Sequence, residues 1–291
     1  MHVLIIGCGY SGTILAEKLL AEGISVTGTR RSWKHAENEL QLLSKVELDL
    51  SNPEQLRALP QDVDYVVNMT SSNRGGASEY QKIFLEGNRS LAEVFRQIKG
   101  YYMTSSTSVY SQTSGEWVDE SSPANPTTQT GQILRQAEEL VLQAFSFCQP
   151  VVFRVAGIYG QGRAHLLEAY LDSRVKWNRA MDRYLNMIHV EDLARLMVAA
   201  LKSEQLQGIF NAVDDLPVKQ SEFYLWLSQE TKGKLPEECA IEEIENRKRG
   251  VSNKRVSNTK IKQALGFSFT YPTFRQGYGL EVHSWRAAQT C

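Results

Sequence analysis

The residues best suited to chemistry stand at the very start of the chain. The stretch "GCGYSG" sets Gly7, Gly9 and Gly12 in G-x-G-x-x-G spacing. In such a loop the first glycine permits a tight turn, the second lets a phosphate approach the backbone, and the third lets helix and strand pack closely. The helix that follows turns N–H groups and the positive end of its dipole toward a pyrophosphate. Here the loop follows the apolar run "HVLIIG" and opens a helical pattern, which is the context this fingerprint requires. A dinucleotide is the expected ligand. The end of the next strand selects its type. The sequence there reads "TGTRRS", with Arg30 and Arg31 and no acid nearby. An acid at this place holds the ribose 2′-hydroxyl of NAD, whereas a guanidinium grips the 2′-phosphate of NADP with two hydrogen bonds. NADP is therefore expected ahead of NAD.

Other reactive types are sparse. His189 opens "HVED" with no second histidine nearby, a weak metal pattern, so it reads as a structural histidine and no metal is expected. Cys8, Cys148, Cys239 and Cys291 form no C-x-x-C pair. Scattered thiols fit a reducing cytoplasm rather than a disulfide framework. The run "NRKRGVSNKR" (246–255) gathers five basic residues, readable as a solvated loop or as an anion pocket.

The elements that must position these residues alternate between two periods. Short apolar runs at 2–7, 24–29, 45–50, 64–70, 100–106 and 150–158 read as strands. Helical patterns lie between them, at 11–23 (closed by Gly23), across about 79–98, and before Phe147. Such alternation implies a parallel sheet covered on both faces, a doubly wound α/β fold of Rossmann type. The second half is less regular. A helix at 189–203, its first turn capped by Asp192, a strand at 208–213, and helices at 221–231 and 258–267 are expected, the last stopped by Gly266. Segments 1–162 and 187–213 are expected to form the cofactor domain, and 163–186 with 214–291 a small C-terminal cap.

The chain has 291 residues, 42% of them hydrophobic, enough for a large core. With 32 basic and 33 acidic side chains its balance favours neither nucleic acid nor an anionic membrane. The start lacks a basic-then-apolar leader pattern, and no apolar run reaches the ~20 residues of a membrane helix. The expected partner is a small-molecule substrate, for a monomer or a homodimer.

Three further stretches, "TSSTSVYS" (104–111), "FRVAGIYGQGR" (153–163) and "NMIHVEDLA" (186–194), follow the glycine loop in order. Together they resemble the extended and atypical short-chain dehydrogenase/reductases, the NAD-dependent epimerase/dehydratase group, over nearly the whole chain. The resemblance implies a cofactor bound by Gly7, Gly9, Tyr10, Ser11 and Gly12. Arg30 and Arg31 would lie at the ribose, Asp49 and Leu50 near the adenine, and Met69 and Thr70 beneath the dinucleotide. It implies that Ser106 holds the substrate hydroxyl, that Asn88 supports the site, and that Arg154 and Arg163 lie where cofactor and substrate meet. The substrate class it brings is a sugar-like or other hydroxyl or keto metabolite. The segment between Arg163 and His189 is shorter than nucleotide-sugar enzymes usually carry, which argues against a full UDP-sugar site.

The same family uses a Tyr-x-x-x-Lys to move the proton, and this chain departs from it. Where that motif belongs stands "NPTTQTGQILRQAEELV". Aligned on Glu138, Thr130 takes the tyrosine place and Leu134 the lysine place; aligned on Glu139, these become Gly131 and Arg135. An aliphatic alcohol is a far weaker acid than a phenol of pKa ~10. Three readings remain open. Tyr110 moves the proton, with Arg135 supplying positive charge and Thr130 a hydrogen bond; or the chain binds NADP(H) as a non-catalytic sensor; or it catalyses a step that needs no phenol.

Overall fold

Apolar runs with no polar face need cover on both sides. The computed structural model, which describes residues 1–34, 42–72, 75–203, 205–245 and 252–289, lays seven strands into one sheet. They are β1 (His2–Ile6), β2 (Ser25–Arg30), β3 (Ser44–Glu47), β4 (Tyr65–Asn68), β5 (Gly100–Ser106), β7 (Gln149–Val155) and β11 (Gly208–Ala212). The order is β11-β7-β5-β4-β1-β2-β3. β1 pairs in parallel with β2 on one side and β4 on the other, so the direction of winding reverses beside it. Doubly wound sheets bind ligands at that switch point, beyond the carboxyl ends of the strands.

The helices of this region are α1 (Tyr10–Ala21), α2 (Pro53–Arg57), α3 (Ala77–Tyr80), α4 (Gly87–Val94) and α5 (Gln129–Ala144). Gly23 ends α1 in the left-handed conformation at φ +73°. The single helix expected across 79–98 arrives instead as α3, a π-helical turn at Gln81–Glu86, and α4. The Asn88 side chain donates to the Phe84 carbonyl (2.6 Å), the acceptor an α-helical ladder would give to a backbone N–H, and the turn widens there.

The chain divides into two compact units, each built from three segments. The first holds Met1–Val109, Gln129–Arg154 and Leu193–Phe210. Its core runs through Val3, Leu4 and Ile5 of β1, Val66 and Val67 of β4, and Tyr101 and Tyr102 of β5, all buried. The second holds Tyr110–Thr128, Val155–Asp192 and Asn211–Cys291. Its strands are β6 (Glu116–Val118), β8 (Gly157–Tyr159), β9 (Tyr184–Leu185), β10 (Met187–His189), β12 (Val218–Lys219) and β13 (Lys254–Val256). Its helices are α6 (His165–Leu171), α8 (Gln220–Thr231), α9 (Ile241–Glu245), α10 (Thr259–Leu265) and α11 (Phe274–Gln289). Between the units in sequence runs α7 (Val190–Lys202). The second core gathers Tyr159, Phe223, Phe274 and Tyr278, with the Tyr159 and Tyr278 rings stacked at 4.4 Å.

These units differ from the domains expected above. Residues 110–128, 155–162, 187–192 and 211–213 cluster with the second unit. The pairing explains it: β6 pairs with β13, and β8 pairs with β10, so each short strand goes with its partner. Gly266 does end α10, at φ +58°. Asp192, expected to cap the first turn of its own helix, lies within that turn, and its carboxylate accepts the N–H groups of Thr270 (2.9 Å) and Tyr271 (2.6 Å).

Candidate functional site

The three glycines of the loop have three different surroundings. A Cβ on Gly7, where φ is +82°, would stand 2.9 Å from the backbone of Thr70. A Cβ on Gly12 would meet the Gly7 carbonyl oxygen at 2.9 Å and Ile5 Cγ2 at 3.3 Å. A Cβ on Gly9 would meet nothing within 4 Å. The first therefore closes the loop onto β4, the third closes helix onto strand, and the second faces open space. Gly9 is also the N-cap of α1; no side chain caps the helix and no acid sits in its first turn. A recess of about 500 Å³ lies in front, lined by Gly9, Tyr10, Thr13, Ile14 and Arg30. The open face of Gly9 and a helix start free of acidic side chains fit a pyrophosphate, so the residues present suit a dinucleotide.

Arg30 lies along the edge of this recess. Its Nε donates to the Cys8 carbonyl and its Nη2 to Thr13 Oγ1 (2.6 Å). Its guanidinium carbon sits 4.5 Å from the centre of the Trp33 ring. Arg31 is exposed. Asp49 is exposed and accepts from the Ser51 hydroxyl (2.7 Å) and N–H (2.9 Å). Those hydrogen bonds hold its carboxyl below the usual range, with Lys82 and Arg31 adding to the effect. Leu50 packs over Gly87. The Met69 N–H donates to the Ile6 carbonyl, and Thr70 is fixed through its N–H and Oγ1 to Asn68 Oδ1. Ser11 lies half-buried in the first turn of α1.

The stretch expected to carry the chemistry is arranged differently. Ser106 is half-buried, and its Oγ accepts the Ser108 N–H (3.1 Å) as the chain enters the 3-10 turn Thr107–Val109. α5 packs against that turn. Thr130 is half-buried in the first turn of α5, and Leu134 is buried one turn on. Arg135 is paired, its Nη2 lying 3.0 Å from Glu139 and its Nη1 3.7 Å from Glu138. Arg135 thus faces two carboxylates, while its buried Nη1 makes no hydrogen bond among the described residues.

Tyr110 corrects the expectation more strongly. It is 0% exposed, and its hydroxyl donates to Asn211 Oδ1 (3.0 Å). Asn211 is itself held, its N–H on Glu120 and its Nδ2 on the Ser257 carbonyl. A phenol closed into such a network has no solvent-facing oxygen. Asn88 is also wholly interior: its Oδ1 accepts from Asn68 Nδ2 and from the Tyr101 hydroxyl. Arg154 and Glu138 form a buried, two-pronged ion pair, with Ser105 donating to the same carboxylate (2.7 Å).

In the second unit, His189 accepts the Glu191 N–H at Nδ1 (3.2 Å) and contacts the rings of Tyr159 and Tyr271. The Arg163 N–H closes a tight turn on the Gly160 carbonyl (2.8 Å). Of the basic run, residues 246–251 lie outside the described residues. Arg255 donates to the Gly115 carbonyl (2.7 Å) and stacks over Trp117, so it is committed to the protein.

Three groups were missed from sequence. Trp33 is one. Lys254 is another: it is buried, with Nζ donating to the Tyr110 carbonyl (2.8 Å) and Ser252 Oγ (2.9 Å). Burial, then Arg183, holds its ammonium down to about 8. The third is Asp214, 1% exposed, whose Oδ2 has no partner among the described residues. Burial pushes its carboxyl well above the ordinary range, with repulsion from Asp215 and Asp192 adding to it. Only the basic run hinted at one of these. Among the described residues no three His, Cys, Asp or Glu side chains gather as for a metal, and no helix is long and apolar enough to cross a membrane. Among the described residues Cys8, Cys148 and Cys239 form no disulfide.

A doubly wound parallel sheet with a glycine loop at its switch point defines the class: a Rossmann protein that takes a nicotinamide dinucleotide. The chain belongs to the NAD dependent epimerase/dehydratase family, whose model matches residues 3–212. It is 26% identical to "Protein YeeZ" of Escherichia coli (strain K12) over 278 residues, covering 93% of this chain and 96% of that one. A candidate NAD-dependent epimerase/dehydratase from Methylobacillus flagellatus superposes with a TM-score of 0.78 at 26% identity, covering 98% of each chain. MoeE5, solved with UDP-glucose and NAD, superposes at 0.84 with 18% identity, over 99% of this chain and 100% of that one, a likeness of fold.

Proposed function

We propose that the protein binds NADP(H) in preference to NAD(H) and acts as an oxidoreductase or epimerase-like enzyme on a small hydroxyl or keto metabolite, sugar-like in character. The observation that carries the cofactor reading is Arg30 at the recess in front of Gly9, with no acid where NAD enzymes keep one. Gly7, Gly9, Tyr10, Ser11 and Gly12 would hold the pyrophosphate end, with Arg30 and Arg31 at the ribose. Asp49 and Leu50 would lie at the adenine, and Met69 and Thr70 along the dinucleotide. Bound there, the nicotinamide supplies hydride donation and acceptance. Ser106 would hold the reacting oxygen, and Thr130 would orient a water that moves the proton. MoeE5 carries a UDP-sugar by its description, which supports a sugar-like substrate; the short Arg163–His189 segment supports a smaller one. The scattered free thiols support a cytoplasmic setting.

A second reading has its own observation. Tyr110 is closed into the interior and Arg135 faces two carboxylates, so both obvious substitutes for the family tyrosine and lysine are engaged within the protein. That favours a non-catalytic NADP(H)-binding sensor. The experiment is a titration with NADPH and NADH, followed by a screen of keto and hydroxyl metabolites for hydride transfer with wild type and Ser106→Ala. Turnover that collapses in Ser106→Ala supports the enzyme. Tight NADPH binding with no turnover across the screen supports the sensor, and tighter NADH binding overturns the cofactor preference.

A further inference from the structure

Lysine is almost never fully buried unless an opposite charge accompanies it. Lys254, on β13, is 5% exposed. Its Nζ donates to two neutral acceptors, the Tyr110 carbonyl (2.8 Å) and Ser252 Oγ (2.9 Å). Among the described residues no carboxylate pairs with it. Glu116, opposite it on β6, turns its carboxylate to the Ser114 N–H instead (2.9 Å). The charge felt at Lys254 is that of another cation, Arg183, which joins burial in holding the ammonium down to about 8.

The backbone beneath this side chain is held by several partners. Lys254 pairs in register with Glu116, Asn186 Nδ2 donates to the Lys254 carbonyl (3.0 Å), and Asn186 Oδ1 accepts the Val256 N–H (2.8 Å). Asn253 donates its N–H to the Gln112 carbonyl (2.8 Å) and accepts the Tyr184 N–H at Oδ1 (3.0 Å). All this polar support fixes in place a residue whose burial is unfavourable. A buried ammonium costs free energy unless an opposite charge and hydrogen bonds offset it. A second unmet group lies on the same pair of segments. Gln112 donates Nε2 to the Pro123 carbonyl (2.9 Å), and its buried Oε1 has no donor among the described residues. Lys254 lacks an anion and Gln112 lacks a hydroxyl. A small acid that also carries hydroxyl groups answers both. One ammonium balances one negative charge, so a carboxylate suits this place better than a phosphate dianion.

We propose that Lys254 and Gln112 form a subsite in the second unit for a hydroxylated carboxylic acid, Lys254 taking the carboxylate and Gln112 Oε1 a hydroxyl. This rests on the reading of a hydroxyl or keto metabolite above and narrows it to an acid of that class. Calorimetry on the full chain compares three acids with their neutral counterparts: glucuronate with glucose, gluconate with glucitol, and lactate with propane-1,2-diol. Glucose 6-phosphate stands for a phosphate. The proteins are wild type, Lys254→Met and Gln112→Met, each with its melting transition recorded. Brief acetic anhydride labelling, read at Lys254 by mass spectrometry, reports whether each compound covers the amine.

At least one acid is expected to bind wild type more than about tenfold more tightly than its neutral counterpart and than glucose 6-phosphate, and to slow the labelling of Lys254. Lys254→Met should erase that preference, keep NADPH affinity within about twofold, and melt no lower than wild type, since an unpaired buried cation is gone. Gln112→Met should weaken the acid about fivefold. A Lys254→Met that melts well below wild type and binds the acids unchanged would make Lys254 a structural tie and overturn the inference. Should that variant melt early and lose the acids too, protection of wild-type Lys254 by acids alone supports the subsite, and equal protection by neutral compounds overturns it. A wild type with no preference for acids, or one that prefers glucose 6-phosphate, overturns it as well. Hydride transfer on neutral metabolites that survives Lys254→Met would keep the enzyme reading and sink this subsite. An acid held by Lys254 without turnover would keep the subsite and favour the sensor.

Discussion

The glycine loop and the interior around α5 treat their polar groups in opposite ways. At the loop, Gly9 faces open space and α1 begins without a side-chain cap or an acid. Behind it, Glu138 is enclosed by Arg154 and Ser105, and Asn88 by Asn68 and Tyr101. The family's cofactor motif leaves its groups facing outward to a ligand. The stretches expected to carry the reaction have closed much of their polar chemistry onto the protein itself. A motif can thus survive as sequence while its side chains change employment, and only their partners reveal which has happened.

The contrast can be broken most forcefully at Arg154. Arg154→Met would leave Glu138 buried and unpaired, and a urea titration should find unfolding easier by about 3–5 kcal/mol. A loss well under that would mean the interior pair is less closed than it looks. Gly7→Ala tests the open side. A Cβ at positive φ and 2.9 Å from the Thr70 backbone should cost about 2–3 kcal/mol and weaken both dinucleotides more than tenfold, read by melting and calorimetry.

Asp214 is a third kind of group, buried yet half-unpartnered. Its folded pKa is raised, so its contribution is complete below the ordinary carboxylate range and is lost as pH rises through the folded value. Asp214→Asn should therefore gain about 1–2 kcal/mol over wild type at pH 8 and nothing at pH 4, in denaturant titrations at the two values. The smallest change is expected from Tyr110→Phe: about 1 kcal/mol of stability, with NADPH affinity untouched. A loss of NADPH affinity there would put Tyr110 back among the open groups.

What was legible in the sequence follows the same division. β1, the glycine turn and α1 were readable because a backbone demand, a positive φ or a missing Cβ, writes itself into residue type at that position. Gly23 and Gly266 were readable as helix ends for that reason. α11 was not. Gly277 and Gly279 look like breakers, yet a Cβ on Gly277 would stand 2.4 Å from the Tyr159 ring, so the first is there for a neighbour 118 positions away. Tyr110 read as reachable because nothing local announces Asn211, 101 residues later. Lys254 owes its place to the carbonyl of Tyr110, 144 residues earlier. Trp33 meets Lys45 only because β3 pairs with β2.

The interleaving of the two units has a consequence for how the chain is made. β5 is complete at Ser106, but its sheet neighbour β7 begins at Gln149. At ~5–20 residues per second a ribosome needs roughly two to eight seconds to deliver the 42 residues between them. Throughout that interval β5, with Tyr101, Tyr102 and Met103, is the unguarded margin of a growing sheet, and an unpaired strand is a template for pairing with a neighbouring chain. The nascent protein is most exposed to misassembly while residues 107–148 are being translated, and slow codons in that stretch would lengthen the wait.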